Sequence, residues 1–125
     1  MSSLVSRLTP LSAARIYLYA QNVDMRKSFD GLFGMVREFL GQDPLSGHLF
    51  LFLNRRRDRA KILLWDRDGL VVWAKRLERG RFQLPSGRDA ASLTIEVDSV
   101  TLAMMIGGVD LDTAKRRKRY QVAAG

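Results

Sequence analysis

Three short segments of this chain hold side chains suited to one kind of chemistry, the neutralisation of a polyanion. They are Arg55-Arg56-Arg57-Asp58-Arg59-Ala60-Lys61, Lys75-Arg76-Leu77-Glu78-Arg79-Gly80-Arg81 and Lys115-Arg116-Arg117-Lys118-Arg119, with net charges of +4, +3 and +5. The whole chain of 125 residues carries only +8, so everything outside these segments is net −4. Charge gathered in this way suits binding that neutralises phosphates and releases counterions. The bland alternative is three solvated stretches with no partner. The candidate nucleic-acid contacts are therefore Arg55, Arg56, Arg57, Arg59, Lys61, Lys75, Arg76, Arg79, Arg81, Lys115, Arg116, Arg117, Lys118 and Arg119.

Other chemistry finds less support. There is no cysteine, which removes disulfides, thiolate nucleophiles and Cys-type zinc sites. The single histidine, His48, reads as structural, and with no second His a transition-metal site has too few ligands. Ser46 and Ser86 lack the flanking glycines of a nucleophile elbow, and Gly107-Gly108 lacks the spacing and lysine of a phosphate loop. Paired carboxylates hold the metals of phosphodiester chemistry. Asp24, Asp30, Asp66 and Asp68 are the candidates, but each has a capping, turn or solvated role, and no spacing forces two together. No catalytic residue, metal or cofactor is assigned. Trp65, Trp73 and Phe82 border the basic segments, where exposed rings stack bases. Packing of the two tryptophans under the first helix is the competing reading. Arg26-Lys27 is a further candidate phosphate contact, balanced by a solvated first turn.

The elements that must position these residues make one α+β domain, an antiparallel β-meander with two packed helices. Residues 1–13 are expected to be loosely ordered, residues 14–112 to form the domain, and residues 113–125 to be a basic tail without fixed structure. A hydrophobic content of 46%, with 9% aromatics, is ample for a core. Arg15-Ile16-Tyr17-Leu18-Tyr19-Ala20 reads as a first strand. Phe29, Leu32, Phe33, Val36, Phe39 and Leu40 draw one apolar helical stripe, with Asp24 or Ser28 at its start and Gly41 at its C-cap. Gly31 and Gly34 weaken that helix or admit a close approach to the sheet. Residues 49–53, 62–65 and 70–74 make the meander, the last running on to 77. The second turn carries the Asp-Gly hairpin signal at Asp68-Gly69. Residues 85–89 read as a loop and 93–97 as an edge strand. A second helix starts at Asp98 or Ser99, with Leu102, Met105 and Ile106 on one face.

Hairpin topology then brings the first two basic segments to the same end of the sheet, as one patch of +7. Leu49-Phe50-Leu51-Phe52-Leu53 is apolar at every position, so both of its faces need cover. The first helix covers one. The second helix is short cover for the other, which leads to the expectation of a homodimer or a docked partner there.

Several motifs resemble a known family in order and spacing. Asn22-Val23-Asp24-Met25-Arg26-Lys27-Ser28-Phe29-Asp30-Gly31-Leu32 is similar to the Thr-Asp-Met-Arg-Lys-Gly-Phe-Asp-Gly-Leu signature of a bacterial insertion-sequence family. Ser46-Gly47-His48-Leu49-Phe50, then Lys61 through Trp65-Asp66, then Ala74-Lys75-Arg76-Leu77-Glu78-Arg79-Gly80-Arg81-Phe82 continue the match. The family is the TnpB-type accessory protein, the second reading frame, of insertion-sequence group sixty-six. The resemblance runs from about Ala14 to Asp112, with Ser28 where the family has glycine. It implies a protein encoded beside a separate, larger transposase and associated with movement of the element. It offers no catalytic residues to carry over; the acidic triad that cuts and joins DNA is expected on the transposase.

The resulting expectation is a non-enzymatic accessory factor for DNA transposition that binds DNA through the basic patch. The alternatives are an interaction protein that docks on the transposase through an apolar sheet face, and a small metal-dependent nuclease. The N-terminal residues show no signal-peptide pattern, and no stretch reaches the roughly 20 apolar residues of a membrane span. A soluble cytoplasmic protein with no membrane partner is expected.

Overall fold

The all-apolar strand at the centre of the chain sets the architecture, because a strand buried on both faces needs a layer on each side. The computed structural model describes residues 14–85 and 92–107. Five strands, β1 (Ile16–Asn22), β2 (Leu49–Leu53), β3 (Arg59–Asp66), β4 (Gly69–Arg76) and β5 (Thr94–Val97), form one sheet in the order β4-β3-β2-β1-β5. The β2-β3-β4 meander is antiparallel, and β5 runs antiparallel to β1 at the far edge. β1 and β2 are parallel, with Ile16 opposite Leu49 and Leu18 opposite Leu51. The connection between them crosses one face of the sheet through helix α1 (Phe29–Met35), which continues as a π-helical turn, Val36–Leu40. Helix α2 (Ser99–Gly107) follows β5. The fold is α+β with a mostly antiparallel sheet.

Two apolar layers result. On the α1 side, Leu32, Val36 and Leu40 pack with Tyr19, Phe50, Phe52 and Leu63. On the other side, Leu102 and Met105 of α2 join Phe82 over Leu18, Leu49, Leu51, Ile62 and Leu64. All five residues of β2 are buried. The face expected to need a second molecule is therefore covered within the chain, and that motive for a homodimer or docked partner is gone. The missing cover is Phe82, only 1% exposed. This corrects its reading as a base-stacking ring. Trp73 packs on the α2 side, not under α1 as expected, and it and Trp65 are half-buried.

The apolar stripe of α1 is also shifted. Leu32, Met35, Val36 and Leu40 face the core, while Phe29 is 46% and Phe39 53% exposed. Pure α spacing placed both phenylalanines inward. The π turn adds a residue per turn and rotates Phe39 outward in favour of Leu40. Gly41 ends the helix in the left-handed region, φ 62°, as its C-cap position requires. Gly31 does not meet the sheet: a Cβ there would lie 3.2 Å from the Lys27 side chain, so its smallness lets the chain entering α1 fold back. Asp98 starts α2, its Oδ1 accepting the Thr101 N–H at 2.7 Å. That bond holds the Asp98 carboxyl below its ordinary pKa. Among the described residues no helix is long and apolar enough to cross a membrane. The expectations for residues 1–13, for the loop beyond Pro85 and for the basic tail lie outside the described residues.

Candidate nucleic-acid interface

A loop carrying three consecutive arginines repels itself, so something must hold its shape. Asn54 does so. Its backbone closes the hairpin with Arg59 (Asn54 N–H to the Arg59 carbonyl, 3.2 Å), and the Arg57 N–H returns to the Asn54 carbonyl at 3.1 Å. Its side-chain oxygen accepts the N–H groups of Asp58 and Arg59 at 3.1 and 3.0 Å, and its amide donates to Asp58 Oδ1 at 2.7 Å. The 54–57 turn closes with Arg57 in the left-handed conformation, φ 58°, as in hairpin loops where a type I turn is followed by a left-handed residue. The Asn54 hydrogen bond, together with the nearby charges of Arg56 and Arg59, lowers the Asp58 pKa. The loop thus presents Arg55 and Arg56 exposed, with one ionised carboxylate among them.

The second basic segment is fastened directly to this loop. β3 and β4 pair down to Arg59 opposite Arg76. Beyond that pair, the Leu77 N–H donates to the Asp58 carbonyl at 2.7 Å, and the Phe82 N–H to the Arg57 carbonyl at 2.6 Å. Residues 78–81 bow out between these two clips, with Arg79 and Arg81 exposed beside the arginine loop. The expected convergence at one sheet end is what the strand pairing gives.

Not every residue of the patch is placed alike. Direct partners across a ladder share a face, so Arg59, Lys61, Ala74 and Arg76 lie on the α1 side, and Lys75 on the other. Lys75 Nζ donates to the Ile106 carbonyl at 2.6 Å, at the C-terminal end of α2, where a cation is favoured. Arg76 is 3.1 Å from Glu78, an exposed pair worth little. Lys61 Nζ donates to the carbonyls of Met25 and Lys27 at 2.7 and 2.8 Å, so its role here is to hold another loop. Lys115, Arg116, Arg117, Lys118 and Arg119 lie outside the described residues.

That other loop, residues 23–28, was not foreseen as part of this end. Parallel pairing places the C-terminal ends of β1 and β2 together, with the Val23 N–H bonded to the Leu53 carbonyl at 2.9 Å. The loop therefore emerges beside the arginine hairpin, and Lys61 pins it. Within it, Asp24 accepts the Arg26 N–H and pairs with the Arg26 guanidinium at 2.6 Å, which lowers the Asp24 pKa to about 2. Arg26 is thereby matched by a carboxylate, leaving Lys27 as the loop's excess charge. Nothing in the sequence singled out Asn54, and Lys61 was read as a phosphate contact, not as an anchor for a loop. Their roles depend on partners brought in by the fold.

The carboxylates do not gather. Asp24, Asp58 and Asp98 are each held by a local partner, and among the described residues no three His, Asp or Glu side chains could hold a metal ion. His48 is structural. Its Nδ1 accepts the Arg15 N–H at 2.9 Å and its ring meets Tyr17 edge-on, tying the starts of β1 and β2 together.

The chain matches the family described as IS66 Orf2 like protein, TnpB_IS66, over residues 14–116. It is similar to the uncharacterized protein y4jC of Sinorhizobium fredii (strain NBRC 101917 / NGR234), 32% identical over 108 residues, spanning 86% of this chain and 90% of that one. It is also similar to the uncharacterized protein y4hO of the same strain, 34% identical over 96 residues, spanning 77% and 81% of the two chains. No solved structure matches. The matched residues include the described sheet, both helices and the two clipped basic segments, and on that match the chain belongs to the IS66 Orf2-like, TnpB-type family of insertion-sequence transposition accessory proteins.

Proposed function

We propose that this protein serves transposition as a non-enzymatic DNA-binding factor in the cytoplasm, using the basic end of its sheet. The observation that supports this most is the pair of backbone clips from Leu77 and Phe82 to Asp58 and Arg57. They hold residues 78–81 against the arginine loop, although like charge pushes the two apart. Accepting that repulsion has a use if a polyanion relieves it. Arginine guanidinium groups match phosphate oxygens in geometry and stay charged at any working pH.

Docking on the transposase drew its support from an uncovered sheet face, and both faces of β2 are buried. A nuclease role drew on Asp24, Asp30, Asp66 and Asp68; Asp24 is paired with Arg26, and among the described residues no three His, Asp or Glu side chains gather to hold a metal ion. The test is binding of the purified chain to labelled duplex DNA over a salt series, with and without Mg²⁺. Affinity should fall steeply with salt and the DNA should stay intact. Salt-independent binding, or Mg²⁺-dependent cleavage, would contradict the reading.

A further inference from the structure

On the α1 side of the sheet, at its basic end, lies a groove of about 490 Å³. Its lining includes Met25, Arg59, Lys61, Ala74, Arg76 and Glu78. We propose that this groove seats one sugar–phosphate unit of bound DNA, the phosphate lying between Arg59 and Arg76. The proposal rests on the DNA-binding reading and assigns the contact to the groove, in addition to the loop tip.

Arg59 and Arg76 are direct partners across β3 and β4 and share a face. Like charges opposite one another destabilise a sheet. Among the described residues Arg59 makes no ion pair, and Arg76 has only the exposed contact with Glu78. An anion between the two guanidinium groups removes the repulsion and gains charge-assisted hydrogen bonds. The groove has ligand size, within the roughly 300–1,000 Å³ of small-molecule clefts, and far exceeds the roughly 30 Å³ of one water. Ala74, opposite Lys61, leaves the floor open. Met25 supplies an apolar wall for a sugar, and Lys61 holds that wall by its bond to the Met25 carbonyl. Glu78 is the one carboxylate in the lining. It occupies Arg76 when DNA is absent and must yield to the phosphate.

This last point gives a test that misfolding does not imitate. Fluorescence anisotropy with a labelled 20-base-pair duplex is compared for the full chain and its variants. Arg59→Gln should weaken binding about tenfold, the loss of one hydrogen-bonded charge contact, without lowering the thermal midpoint, since it relieves a like-charge pair. Glu78→Gln should tighten binding several-fold. Asp68→Asn, at the turn where β3 meets β4 and away from the groove, adds the same charge and should tighten it less. If Arg59→Gln lowers the midpoint, Glu78→Gln decides, because it leaves both arginines in place. A gain no larger than that of Asp68→Asn overturns the seat. If Arg55→Ala/Arg56→Ala loses affinity while Arg59→Gln and Glu78→Gln bind as wild type, the groove proposal falls and the DNA reading stands. No binding by the wild type overturns both. Inorganic phosphate should displace DNA from the wild type more than chloride does at equal ionic strength, and that excess should vanish in Arg59→Gln. An excess that Arg59→Gln keeps would overturn the seat.

Discussion

Asn54 carries no charge, yet the shape of the arginine loop depends on it. It satisfies two backbone N–H groups and donates to Asp58, which would otherwise be left to solvent and to the surrounding arginines. Asn54→Ala should cost about 1–3 kcal/mol in urea unfolding, the penalty for partly buried groups left without partners. It should also weaken DNA binding by disordering Arg55 and Arg56. An unchanged unfolding midpoint would show that the backbone bonds alone hold the loop. In the core, Leu32 rather than Phe33 is the α1 residue that is fully buried. Leu32→Ala should therefore cost about 2–5 kcal/mol, more than Phe33→Ala. The reverse order in denaturant unfolding would reject the shifted stripe. Asp98 has a folded-state pKa below its unfolded one, so it stabilises its ionised form. That contribution is complete above the unfolded value of about 3.9 and is lost as pH falls through the folded value. Asp98→Asn should flatten the acid side of the stability profile; a profile with the wild-type slope would deny the cap.

At the level of elements, what could be read along the chain was what neighbours in sequence decide. The β2-β3-β4 meander, the Gly41 stop and the Asp98 start rest on local turn and cap chemistry, and so does the convergence of Arg55–Arg59 with Arg76–Arg81. The parallel pairing of β1 with β2 is a choice among distant partners, and no local residue announces it. The 23–28 loop therefore arrived at the basic end unforeseen. Phe82 was misread because its arginine neighbours look solvated; only the clip at Arg57 turns its ring inward. The outward turn of Phe39 was missed because the π turn over Val36–Leu40 breaks the 3.6-residue period. Lys61 is the element-scale coupling between loop and hairpin. Lys61→Met keeps the stem and removes the donor, and should speed amide exchange at residues 25–28 while leaving β3 protected. Uniform exchange changes, or none, would show that the loop does not depend on Lys61.

At the scale of the described molecule, the sheet is closed on both faces by its own chain, and basic side chains of β3, β4 and the arginine loop gather at one of its ends. Such a body needs no second copy to bury its centre. One end of its sheet gathers Arg55, Arg56, Arg59, Arg76, Arg79 and Arg81, and family membership places it in the transposition of an insertion sequence. On the proposed function, the two clipped segments form one DNA-contacting surface. Salt-dependent binding to duplex DNA tests it most directly, comparing wild type with Arg55→Ala/Arg56→Ala and with Arg79→Ala/Arg81→Ala. Both variants should lose affinity, and each should flatten the logarithmic salt slope by up to about 0.9 per phosphate contact removed. Wild-type affinity and slope in both variants would contradict the account.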